Sequence, residues 1–286
     1  MIDLDLFRAF AAIHRAGSLT AATRLLGLSQ AAISVRLQAL EALTGEPLFQ
    51  RHRFGVTPTA AGKRLAERVL PLINELETIF SEVSGRTSSR PFRLGGPAPF
   101  CTRRLLPCFD PQWGTIEFHF GLTEPLLRDL TAGNLDAVIA THRIRSSSLT
   151  FEPIEQESFV LVAAPAWIER HPDPAHSAPA SLLAFAEQLP MIRRYFESRP
   201  ERPSPPILIA PDLLALQAAA EAGLGATVLP AYLCAESLRE GRLCDLHPEH
   251  TKPTNTLFLV LPRGQRRPPF LQAWLERLST IGSPIP

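Results

Sequence analysis

Three helix stops and two helix caps fall within the first forty-five residues, and they constrain this chain more than anything that follows. Leu4, Phe7, Phe10, Ala11 and His14 recur at spacings of three and four, which predicts a helix over about residues 4–15, ended by Gly17. Ser18 stands at the N-cap of a second helix, SLTAATRLLG, which Gly27 closes. Ser29 caps a third that continues to about Leu43 and stops at Thr44-Gly45. Only Gly27-Leu28 separates the second helix from the third, the joint of a helix-turn-helix. Ala22 is small where the two must approach, and Leu25, Leu28, Ile33 and Leu37 are expected to fill the joint. The third helix turns outward a short, uncharged surface of Gln30, Ser34 and Gln38. Amides and hydroxyls suit the edges of bases, which favours DNA binding over a generic three-helix bundle.

The next segments extend that reading. PLFQRHRFGVTPT (47–59) combines strand formers, Arg51, His52, Arg53 and a Gly55 turn. It reads as a β-ribbon wing on phosphates, or else as an exposed hairpin with ordinary surface arginines. From Thr59, a good N-cap, a long helix is expected to about Ser84. Its Leu65, Val69, Leu72, Leu76, Ile79 and Val83 are spaced 4, 3, 4, 3, 4, the repeat of a coiled-coil seam and hence of a dimerising helix. Pro71 lies inside it and removes a hydrogen bond. GRTSSRP (85–91) reads as a polar hinge.

Charge follows the same division. Residues 1–70 carry nine basic and five acidic side chains, +4, which leaves −3 for the other 216 residues of a chain of net charge +1. A small basic module on a mildly acidic body fits an anionic partner at one end. The chain length of 286 residues calls for two or three domains. The start, MIDLDLFRAF, lacks the basic region of a secretory signal, and the longest apolar run (159–168) is far too short to span a membrane. Cys101, Cys108, Cys234 and Cys244 form no disulfide framework. The expectation is a cytoplasmic protein with reduced thiols, a redox-sensing pair being the alternative.

From Phe92 the pattern becomes alternating strands and helices: strands at 92–96, 116–120, 135–140, 158–164, 226–230 and 256–262, with helices at 102–109, 124–133, 212–225 and 269–280. Parallel β-α-β units are the natural assembly. No G-x-S-x-G elbow, P-loop or H-E-x-x-H is present, so neither enzymatic activity nor a metal or other cofactor is expected. GLGAT (223–227) follows a helix and precedes a strand, the wrong order for a nucleotide fingerprint, so its glycines read as a helix stop.

GSLTAATRLLGLSQAAISVRLQALEALTGEPLFQRHRFGVTPTAAG (17–62) resembles the winged helix-turn-helix of LysR-type transcriptional regulators. Ser18, Thr20, Ala22, Leu26, Ser29, Gln30, Ser34, Leu40-Glu41, Gly45, Leu48-Phe49, Arg51, Thr59 and Gly62 stand in the places of that pattern. LRDLTAGNLDAVIA (127–140), and AAEAGLGATVLPAYL (219–233) with EGRL (240–243), are similar to the family's signatures further down the chain. The resemblance implies an α+β multidomain protein: a winged helix-turn-helix (1–58), a linker helix and hinge (59–90), and a two-part α/β effector domain like a periplasmic binding protein. Its parts would be subdomain I (91–162 and 257–286) and subdomain II (163–256), with crossings near Ala163 and Thr256. A solute-binding protein without DNA function is the other class this body admits.

The resemblance also implies residue roles. DNA contacts would fall to Ser18, Thr20, Ser29, Gln30, Ser34, Arg36, Gln38, Arg51 and Arg53, with the third helix in the major groove of operator or promoter DNA. Arg36 projects away from the Gln30 and Ser34 face at 100° per residue. Val35 and Ala31 replace an arginine and a proline common in the family. A small-molecule effector would meet Phe100, Thr102, Thr123, Thr141 and Thr227 in a cleft between the subdomains. Pro and Phe in GPAPFCT (96–102), where a hydroxyl is common, imply a more apolar or bulkier effector than the usual small carboxylate, or none. Homodimers or dimer-of-dimers tetramers are implied, built on the Leu65–Val83 seam, with RNA polymerase a further partner.

Overall fold

The computed structural model describes residues 3–84, 91–171, 181–185, 191–197 and 205–280. Helix α1 (Leu4–Ala16) is capped by Asp3, whose carboxylate accepts from Asp5 N–H at 2.9 Å, and ends where Gly17 turns left-handed at φ 61°. Helix α2 (Leu19–Leu26) starts on the Ser18 hydroxyl and α3 (Gln30–Thr44) on that of Ser29, each accepting a backbone N–H three residues on. Ala22 is fully buried, and Ile33, Leu37 and Leu40 anchor α3 to Phe10 and Ile13 of α1. Leu25 does not fill the joint: it is exposed, and Leu26 packs in its place. At 100° per residue Leu19, Ala22 and Leu26 share one stripe, with Leu25 on the far side of Ala22.

Strands β1 (Phe49–His52) and β2 (Gly55–Pro58) form the antiparallel wing, closed by His52 opposite Gly55. Helix α4 (Ala60–Ser84) begins with Gly62 N–H bonded to the Thr59 hydroxyl at 3.0 Å and runs through Pro71 without a break. The hinge expected after it lies, but for Pro91, outside the described residues.

Strand β3 (Phe92–Gly96) is followed by the short α5 (Ala98–Phe100). A regular helix was expected over 102–109; instead a wide π-type turn covers Cys101–Leu105 and a 3-10 turn Leu106–Cys108. Pro107 has no N–H to donate back into an α-helix there. Then come β4 (Ile116–Phe120), α6 (Thr123–Thr131), β5 (Ala137–Ala140), β6 (Leu149–Ala163), α7 (Pro165–Glu169), β7 (Leu182–Phe185), α8 (Met191–Glu197) and β8 (Pro206–Ala210). They are followed by α9 (Leu213–Glu221), β9 (Thr227–Pro230), α10 (Ala231–Arg239), β10 (Cys244–Asp245), β11 (Thr254–Pro262) and α11 (Pro269–Thr280). Strand β6 starts nine residues before its apolar run, because its first part is mostly part-exposed and carries Glu152 and Glu155, with the buried Glu157 at its end.

The chain packs into two compact units: residues 1–96, 110–152 and 259–272, and residues 97–109, 153–258 and 273–286. In the first, β3 lies parallel to both β4 and β5, and the buried Leu126, Leu127 and Leu130 of α6 serve its core. In the second, β6 pairs antiparallel with β9 and β10, and β7 pairs parallel with β8. The run Phe159–Ala163 is buried on both faces. Val160 and Val162 meet residues of α9 and α10, while Phe159, Leu161 and Ala163 meet Trp167, Tyr195 and Phe196.

Candidate functional site

Helix α3 exposes Gln30, Ala31, Val35 and Gln38, with Ser34 half-buried beside them. This face carries amides, a hydroxyl and two small apolar side chains, and no charge. The Ser18 and Ser29 hydroxyls are engaged as N-caps, and Thr20 is exposed on α2. Arg36 turns toward α1, its guanidinium 3.0 Å from the Asp5 carboxylate. Arg51 and Arg53 are exposed on the wing. Glu41, at the far end of α3, fixes the base of that wing by accepting from Leu48 N–H at 2.8 Å and Phe49 N–H at 3.4 Å. Its place beside Leu40 in the motif was legible; its role as an anchor was not.

Along α4, Leu65 and Val69 pack against the N-terminal core, whereas Leu72, Leu76 and Ile79 are exposed together with Phe80. The Val83 side chain lies outside the described residues. Between these groups Asn74 is buried: its carboxamide oxygen accepts from Arg15, and its nitrogen donates to Asp136 Oδ1 at 3.3 Å. Asp136 also accepts from Arg93 N–H at 2.8 Å and pairs with its guanidinium at 3.3 Å. Gly133, at φ 75°, lies so close to the buried Leu70 that a Cβ there would stand 2.4 Å from a Leu70 methyl.

Of the residues expected to meet an effector, the first unit holds Thr123 and Thr141, with hydroxyl oxygens 3.1 Å apart. Thr123 Oγ1 also accepts from Thr141 N–H at 3.1 Å. Next to them His142 Nε2 lies 3.0 Å from Glu124. The second unit holds Phe100, Thr102 and Thr227. Phe100 is fully buried, its ring edge-on to Tyr232 at 5.9 Å. Thr102 donates to the Ala98 carbonyl at 2.8 Å and Thr227 to that of Leu183 at 2.9 Å, so both hydroxyls are engaged with backbone.

A polar network that no sequence motif signals lies in this second unit. Arg104 meets Glu155 at 3.0 Å, and both are nearly buried. Asn255 donates to Glu157 at 3.0 Å and accepts from Arg194 at 3.0 Å, and the Tyr232 hydroxyl also bonds to Glu157. Burial pushes the Glu157 carboxyl up to about 7, opposed by the Asn255 bond. Burial likewise raises the Cys101 thiol to about 12 and that of Cys234 further. Thiols so protonated are poor nucleophiles. Among the described residues no three His, Cys, Asp or Glu side chains are grouped to hold a metal ion. No described helix is long and apolar enough to cross a membrane.

Residues 4–63 match the bacterial regulatory helix-turn-helix protein family of LysR type, and residues 85–281 match the LysR substrate binding domain. The HTH-type transcriptional regulator AbaB of Streptomyces antibioticus is 39% identical over 300 aligned residues, covering 98% of this chain and 99% of that protein. PtxR of Pseudomonas aeruginosa, also an HTH-type transcriptional regulator, is 26% identical over 289, covering 97% and 92%. Among solved structures, ArgP from Mycobacterium tuberculosis is similar with TM-score 0.75 at 20% identity, covering 98% of this chain and 97% of that one. Full-length LysG from Corynebacterium glutamicum with bound effector Arg gives 0.72 at 18%, covering 98% and 99%. At these identities the structures speak for the fold alone. With both domains matched and AbaB aligned end to end, the chain belongs to the LysR family of transcriptional regulators, a helix-turn-helix DNA-binding domain joined to a substrate-binding domain.

Proposed function

We propose that α3 enters the major groove of an operator, with Gln30, Ser34 and Gln38 reading base edges and Arg51 and Arg53 holding phosphates. The uncharged exposed face of α3 carries this reading. An amide pairs with adenine, a hydroxyl with several edges, and a methyl such as that of Val35 with thymine. Arg36 pairs with Asp5, and the wing presents Arg51 and Arg53 as exposed cations. Leu72, Leu76 and Ile79 are the apolar surface through which two copies would pair, as a dimer or within a dimer of dimers.

The substrate-binding domain takes a small molecule in this reading, and Thr123 and Thr141, their hydroxyl oxygens 3.1 Å apart, are the polar pair we assign to it. The regulator would act in the cytoplasm, changing the access of RNA polymerase to its promoter. A gel-shift titration on the intergenic DNA upstream of the chain's own coding sequence, at rising salt and with a metabolite panel, tests it. Specific, salt-sensitive retardation altered by a metabolite is expected. Retardation no different from that of random duplex would count against the whole reading.

A further inference from the structure

Phe54 is the most exposed large apolar side chain among the described residues, 82% accessible, and base reading by α3 makes no use of it. With Arg53 it forms the two-residue turn of the wing. The hairpin that carries the ring is held in place. Val56 N–H donates to the Gly17 carbonyl at 2.8 Å, and Gly55, at φ 143°, is pressed so close that a Cβ would stand 2.3 Å from the same oxygen. Phe54 N–H donates to His52 Nδ1 at 3.3 Å, and the Arg53 guanidinium carbon lies 4.8 Å from the Phe54 ring centroid. The hairpin is docked on the corner between α1 and α2, and its tip holds a phenyl ring in water among Arg51, His52 and Arg53.

An apolar ring at the tip of a cationic prong matches a DNA minor groove, where phosphates line the walls and stacked bases form the floor. Continuity supports the same partner, since Glu41 of α3 binds the base of this hairpin. We propose that Phe54 is a wedge: it enters the minor groove flanking the major groove held by α3, and partly unstacks one base step. This rests on the placement of α3 proposed above. The wedge adds specificity without a hydrogen bond, because pyrimidine–purine steps (TA, CA/TG) open most easily.

The upstream intergenic duplex is the probe, read by permanganate, which oxidises unstacked thymines, and by the bend angle from circular permutation. Every pyrimidine–purine step named carries a thymine on at least one strand, so the chemistry reports on each. The full chain is expected to give a hyper-reactive thymine within its footprint and a bend of about 20–90°. Phe54→Ala should abolish both and weaken binding roughly tenfold, with the salt slope unchanged because the phosphate contacts remain. Phe54→Leu, still apolar, should keep the bend. Equal reactivity, bend and affinity in Phe54→Ala would overturn the wedge and leave the ring for a protein partner. If the unsubstituted chain shows no preference for the probe, the DNA reading falls and the wedge with it.

Discussion

Gln30 and Arg51 would face the same duplex with different chemistry, and their losses should differ in kind. Gln30→Ala should relax base preference at one position by roughly 1–3 kcal/mol, the worth of a bidentate pair. Arg51→Ala should weaken every sequence alike and lower the salt slope by about 1. Binding curves on specific and random duplexes over a salt series separate the two. Glu157 makes a different statement, about pH. Its folded carboxyl is raised from 4.5 to about 7, so the folded state holds the proton more tightly than the unfolded one. The stability tied to that proton is complete below about 4.5, drains as pH rises to 7, and is gone above. Glu157→Gln should match the parent at pH 4.5 and exceed it at pH 8 by roughly 3 kcal/mol, read by denaturant melts at both pH values. None of this was legible in the sequence. FEPIEQES reads as an exposed polar run, and only the fold brings Asn255, Arg194 and Tyr232 to Glu157.

Helices and strands were legible in proportion to how cleanly their periodicity was punctuated. Helices α1 to α4 announced themselves through caps and glycines, and β3, β4 and α11 have the bounds that their apolar runs predict. Strands β7 and β8 and helices α7, α8 and α10 went unread, because they are short and prolines interrupt the signal around several of them. The 3.5-residue repeat of α4 conceals two jobs. Leu65 and Val69 pack into the domain they grow from, whereas Leu72, Leu76 and Ile79 are exposed and form the surface proposed above for pairing. Leu72→Asp with Leu76→Asp should therefore leave the single chain's stability within about 1 kcal/mol. Self-association should fall by an order of magnitude or more, since each carboxylate would be buried unpaired in the seam. Sedimentation equilibrium measures this, and an unchanged oligomer would remove the seam from the assembly.

At the scale of the molecule, the DNA-binding end and β3–β5 share one compact unit, and α4 runs through it. Arg15, Asn74, Asp136 and Arg93 form a chain of contacts from α1 through α4 to β3, and Leu70 closes over Gly133 beside it. Gly133→Ala faces both a left-handed backbone and a Leu70 contact at 2.4 Å. It should cost roughly 2–4 kcal/mol, seen as a lower melting temperature. If the contact transmits between the two ends, the change should also shift operator affinity, although it touches no DNA-facing residue. The glycine and Leu-Asp of LRDLTAGNLDAVIA were legible as a pattern; that they serve a helix sixty residues earlier was not, since a contact across that separation leaves no local spacing.

That closure bears on how the protein can be divided. A chain begun at residue 91 would retain Arg93 with Asp136 but forfeit the Asn74 amide and the Leu70 side chain. The ground around Gly133 would then lie open and Asp136 would lose a donor, on a face that the whole protein keeps shut. An isolated effector fragment would carry that ground as new surface. Ligand titrations are therefore better done on the uncut chain.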